Sequence, residues 1–176
     1  MIKPLLLKSI YFVLPLIVLI KFKVSITTAV LMPFAVISAP LVFEDVRNHR
    51  LPNRIIYSAF FITLLLISGF SIYKVDLKTF TQPILGAVVS FFIAFLIYLI
   101  ARGGFGAGDV KLFALTGLIF GIFTPAHMIA AAIFACLGVA LYTLALLTLK
   151  RATRKTQVPF GPFIIIGSWL SIIILN

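Results

Sequence analysis

Apolar residues run on in this chain for stretches long enough to cross a lipid bilayer, and they do so again and again. A helix needs about 20 mostly apolar residues to cross the hydrocarbon core, where every backbone group must be satisfied internally. The runs fall at about 4–20, 25–43, 55–73, 82–101, 110–123, 127–149 and 158–175 of the 176 residues. They are continuous rather than alternating, which argues against a transmembrane β-barrel. Composition agrees: 62% of residues are hydrophobic and 11% charged, against about half and a quarter in soluble domains. The expected fold is therefore all-α, a polytopic transmembrane helical bundle of about seven helices, with six to eight compatible with the pattern. The first run, which contains Lys8 and Pro15, and the short fifth are the weakest. No repeat, low-complexity tract or soluble linker interrupts the chain, so residues 1–176 read as a single membrane-embedded domain. Lys3 before an apolar run resembles a signal peptide, but no small-x-small cleavage site follows, and the segment reads as a retained helix.

Charge orders the loops. The net charge is +11, yet basic and aromatic residues form no soluble patch, so nucleic acid is not an expected partner. Lys and Arg lie mainly between apolar runs. With seven helices, one side receives Lys3, Lys8, Arg47, Arg50, Arg54, Arg102, Lys111, Lys150, Arg151, Arg154 and Lys155. The other receives only Lys21, Lys23, Lys74 and Lys78. That bias places the first set, and the N-terminus, in the cytoplasm.

Only four acidic residues occur in the chain. Two of them, Asp45 and Asp109, sit in polar islands where an apolar run meets a short charged loop, and both loops fall on the cytoplasmic side. A carboxyl near lipid is costly, roughly 2.5–3.5 kcal/mol on insertion scales at the bilayer centre. Two carboxyls from separate helices are the minimum equipment of an aspartyl hydrolase. Asp45 follows the second run, which puts it at or just beyond the C-terminal end of a helix, and Asp109 is placed like an N-cap of the fifth. Helix polarity then makes Asp109 the readier carrier of negative charge and Asp45 the readier carrier of a shared proton. One ionised and one protonated carboxyl can activate water and protonate a leaving amine.

Other residues read more plainly. Gly103, Gly104, Gly106 and Gly108 would let an extended peptide lie against the loop, or would simply form a flexible turn. Pro52 and Asn53 read as a stop followed by an N-cap for the third helix. Pro159 and Pro162 either kink the last helix or start it, while Pro33, Pro40 and Pro125 read as bends. His49 and His127 fall on opposite sides without a second ligand, and lone Cys136 reads as a small buried residue, so no metal or other cofactor is expected. The basic run from Lys150 to Lys155 reads as a topology determinant. The phenylalanines and Trp169 read as packing or lipid-facing.

Three motifs resemble a known family. Gly106-Ala107-Gly108-Asp109-Val110-Lys111-Leu112 matches the GxGD signature in the form seen in type IV prepilin peptidases. Asp45 followed by Leu51-Pro52-Asn53 is similar to that family's first aspartate motif, and Pro159-Phe160-Gly161-Pro162-Phe163 resembles its C-terminal element. GxGD alone would also admit presenilin-like proteases; Lys111-Leu112 and Leu51-Pro52-Asn53 favour the prepilin branch. The resemblance implies a bacterial inner-membrane aspartyl endopeptidase that removes the short basic leader from prepilins or type II secretion pseudopilins at the cytoplasmic face, cutting after a glycine. By position, Asp45 and Asp109 would be the catalytic pair. Gly106, Gly108 and Lys111 would shape the second motif, with Pro52, Asn53, Pro159, Gly161 and Pro162 shaping the rest of the site. Longer members carry a segment with paired cysteines and N-methylate the new terminus. The lone Cys136 makes a peptidase-only form the expectation here. Implied partners are the prepilin or pseudopilin substrates, membrane lipid, and pilus or secretion-system components.

Two other classes compete. A small proton-coupled transporter also uses intramembrane carboxyls, but it would place them near the midplane and often in repeated halves. A non-catalytic subunit of a secretion machine would have no use for two separate aspartate motifs.

Overall fold

The computed structural model describes residues 4–23, 25–101, 104–150 and 158–175, with side chains from residue 13 onward. Among these residues lie seven helices and no strand: α1 (Pro4–Phe22), α2 (Ile26–Asn48), α3 (Asn53–Lys74), α4 (Lys78–Ile100), α5 (Ala107–Phe120), α6 (Pro125–Thr148) and α7 (Gly161–Leu175). Each expected run has its helix. The chain folds as a helical membrane bundle.

Length separates outer helices from inner ones. Four helices, α2, α3, α4 and α6, are long and apolar enough to cross a membrane. The 14-residue α5 and 15-residue α7 are shorter; at about 1.5 Å per residue they fall well short of the ~30 Å hydrocarbon core. Both are sheathed by neighbours. α5 packs on α3, α4, α6 and α7, and α7 packs on α2, α5 and α6. Leu112, Leu115 and Leu118 of α5 meet Leu31, Phe34 and Leu41 of α2, Ile56 and Ile67 of α3, and Ile164 and Ile172 of α7 in one core.

Lipid tails give apolar helices no hydrophobic reason to associate, so close backbone approach matters more than in water. The α4–α5 pair uses facing glycines: a Cβ on Gly117 would stand 2.3 Å from the Gly86 carbonyl oxygen. On the α7 side of the bundle, α6 buries only His127, Ala131 and Ala135. Cys136, the next residue along, is exposed, contrary to the buried position expected. With so narrow a buried stripe, most of α6 is left for lipid. Trp169 is a packing residue: its ring stacks on Phe34 at 5.5 Å, and its Nε1–H donates to the Ser38 hydroxyl at 3.1 Å.

Prolines mark boundaries as much as bends. Pro125 is at the first turn of α6, where its missing N–H costs nothing, whereas Pro33 and Pro40 lie inside α2. Pro162 sits in the first turn of α7, so the C-terminal element starts that helix.

Consecutive helices alternate in direction, giving the bundle two distinct ends. At one end Lys21 Nζ donates to the carbonyls of Ile172 and Ile173 at 3.0 and 3.2 Å, and Phe22 meets Phe123 edge to face. The end of α2 and the starts of α3, α5 and α7 gather at the other. Lys3, Arg102, Arg151, Arg154 and Lys155 lie outside the described residues, as does most of the basic run read as a topology determinant.

Candidate active site

Asp45 stands in the last turn of α2, at its C-terminal end. The helix continues to Asn48 and ends at His49, whose left-handed backbone (φ 49°) turns its N–H onto the Asp45 carbonyl at 2.9 Å. Histidine enters that region more readily than most residues. The Asp45 side chain is buried, 5% exposed. Its Oδ2 accepts the backbone N–H of Gly161 at 2.9 Å, across 116 positions of sequence. Gly161 opens α7, so this carboxyl is anchored at the N-terminal end of a second helix.

Asp109 is also buried, 6% exposed. It is the third residue of α5 rather than the cap itself. Its Oδ2 accepts the N–H of the N-cap, Gly106, at 2.9 Å. Glycine has no side chain to reciprocate, so only this half of a capping box forms. The other oxygen, Oδ1, is buried and takes no hydrogen bond from the described residues. Buried polar atoms are rarely left so, and an exception calls for a reason.

The two carboxyls are anchored alike, each by one glycine N–H at a helix N-terminus. Asp45 therefore meets the positive end of α7 as well as the negative end of α2, and helix polarity alone does not set the two carboxyls apart. One ionised and one protonated carboxyl in such a pair would serve as base and acid.

Leu51 joins the motifs. A Cβ on Gly108 would lie 2.8 Å from Leu51 Cβ, and one on Gly161 would lie 3.2 Å from Leu51 Cδ2 and 2.8 Å from Asp45 Oδ2. The α2–α3 loop is thus wedged between the start of α5 and the start of α7. Only glycine permits either approach. Phe105, before α5, meets Phe160, before α7, edge to face at 5.0 Å and closes the same end.

Pro52 caps α3 through its backbone, and Asn53 is the first helical residue rather than the cap. The Asn53 side chain instead accepts a hydrogen bond from Lys111 Nζ at 2.9 Å. The Lys111 ammonium also lies 5.5 Å from the centre of the Tyr57 ring. Pro159 is half-buried in the segment leading into α7. The structure therefore gathers Asp45, Asp109, Gly106, Gly108, Gly161, Pro162, Asn53 and Lys111 at one end. Leu51 and Phe160 entered the sequence reading only as members of motifs, with no contact assigned to either, and Phe105 and Tyr57 were given no role. A leucine or aromatic in so apolar a chain carries no signal of its own.

His127 lies at the opposite end, its Nδ1 2.9 Å from the Thr124 hydroxyl. No group of three potential metal ligands occurs among the described residues.

Residues 29–144, which include both aspartates, match the profile of the type IV leader peptidase family. The chain is 31% identical over 155 residues to a prepilin leader peptidase/N-methyltransferase of Bacillus subtilis (strain 168), covering 86% of this chain and 58% of that protein. It is 24% identical over 136 residues to a protein of the same name from Stutzerimonas stutzeri, covering 73% of this chain and 44% of the relative. It thus spans about half the length of these curated relatives. No solved structure matches it significantly. The chain belongs to the type IV leader peptidase family.

Proposed function

We propose that this chain is a membrane aspartyl endopeptidase that removes the leader from type IV prepilin or pseudopilin-like substrates, with Asp45 and Asp109 activating water. The observation that carries the reading is the matched pair of buried carboxyls on separate helices, each fixed through one oxygen to a glycine N–H. A carboxyl held through one oxygen keeps the other for chemistry. The ionised member takes a proton from water as it attacks the scissile carbonyl, and the protonated member gives a proton to the departing amine. The fixed backbone dipoles need not reorganise as charge moves between them.

The bias of Lys and Arg supports a cytoplasmic position for this end, and for cleavage, with the bacterial inner membrane as the proposed location. A substrate lying in the same membrane then meets the dyad where its own helix ends. Of the two activities in the relatives' printed name, a carboxyl dyad performs the peptidase one. A proton-coupled transporter fits less well, because both acids lie at helix ends rather than at the midplane.

Purified protein incubated with a prepilin-like substrate tests the reading. General acid–base groups contribute roughly 10²–10⁴ in rate, so Asp45→Asn and Asp109→Asn should each lose about that much. Undiminished cleavage by either variant would remove the dyad from the mechanism.

A further inference from the structure

The hydrogen bond that holds Asp109 is local, within its own loop. It fixes the direction of the carboxyl but not its distance from Asp45, which belongs to α2. That spacing must come from the way α5 is seated on the elements around Asp45. Besides the packing of α5 on its neighbouring helices, two contacts tie its first turns to the α2–α3 junction beside Asp45, one on each side of Asp109 in sequence. Gly108 packs on Leu51, and Lys111 reaches Asn53 and Tyr57.

The second contact is made of unusual parts for a membrane protein. Asn53 and Tyr57 are four residues apart on α3, hence one turn apart on a single face. Between them they offer an amide oxygen and an aromatic face, and the Lys111 ammonium engages both. Tyr57 is 44% exposed, at a margin where apolar packing has little to gain. A charge-assisted hydrogen bond and a cation–π contact are directional there.

We propose that Tyr57 and Asn53 form a two-pronged seat for the Lys111 ammonium, making Tyr57 a positioning residue that sets the spacing of Asp109 from Asp45. This rests on the peptidase reading above. The alternative is that Tyr57 is an interfacial aromatic anchoring α3 among the headgroups.

The test compares wild type, Tyr57→Leu, Tyr57→Phe, Lys111→Gln and the Tyr57→Leu/Lys111→Gln double variant on a prepilin-like substrate. Small misplacements of reacting groups can cost up to ~10²-fold, so Tyr57→Leu should lower kcat about tenfold while KM stays within about twofold. Tyr57→Phe keeps the ring and should recover most of the loss. The double variant should be no slower than Lys111→Gln, because Tyr57 acts through the ammonium. Unchanged kcat in Tyr57→Leu, a change in KM alone, or losses that multiply would each overturn the proposal. Thermal unfolding of the same four variants without substrate reads the seat separately. Non-additive shifts support it and additive shifts oppose it, even if wild type fails to cleave and the peptidase reading falls.

Discussion

The two ends of the bundle solve the same problem differently. At the Lys21 end, polar groups act as caps. Lys21 serves the last carbonyls of α7, Thr124 serves His127, and Asp76 accepts from the Lys78 N–H and the Thr79 hydroxyl at the start of α4. Each of these contacts stabilises a helix terminus, and each would serve in any helical membrane protein. At the Asp45 end, two acids are carried into burial and held by single backbone bonds. One of those bonds spans 116 residues, and Asp109 Oδ1 is left with no partner among the described residues. Burying a carboxyl in that state is a poor way to stabilise a bundle. Polar groups at the first end serve the fold, whereas at the second end the bundle buries acids that do little to stabilise it.

Substitutions at the two ends should have different consequences. The largest of these effects should come from Gly161→Ala, which puts a methyl group 2.8 Å from Asp45 Oδ2. Cleavage should fall by roughly 100-fold, as displacement of a reacting group commonly costs. Wild-type kcat/KM in that variant would show that the Gly161–Asp45 bond is incidental. Next, Lys21→Met should lower unfolding stability by about 1 kcal/mol through the lost bonds to the α7 carbonyls, with kcat unchanged. A loss of kcat as large as that of Gly161→Ala would mean that the ends are not separate in function.

The smallest effect belongs to Asp76. The Thr79 hydroxyl first, and then the Lys78 N–H, hold its carboxyl below its ordinary value of 3.8. A depressed folded-state value means the stabilisation is complete above pH 3.8 and fades as pH falls below it. The melting-temperature gap between wild type and Asp76→Asn should therefore narrow only under strongly acidic conditions. A gap that stays constant with pH would assign it to packing instead.

How much of this was legible in the sequence follows from range. Helix number and order were, because each helix, long enough to cross a membrane or not, stands on its own continuous apolar run. So was the placement of Asp45 and Asp109 at one end, since an even number of crossings separates nothing. Local offsets were finer than the pattern resolves: α2 runs past its apolar run to Asn48, which settles Asp45 in its last turn, and Asn53 spends its side chain on Lys111 instead of capping α3. Cys136 was misplaced because in lipid an apolar run carries no record of which face is buried. Least legible was the anchoring of Asp45. From sequence it has only the unfavourable end of α2. The helix terminus that receives it belongs to a segment 116 residues away.

The central claim is that Asp45 and Asp109 act as one unit. It is tested most directly by comparing Asp45→Asn, Asp109→Asn and the double variant in single-turnover cleavage of one substrate. Groups that act together are strongly non-additive, so the double variant should cleave no more slowly than the worse single one. Losses that multiply would show two independent contributions, and the dyad would have to be given up.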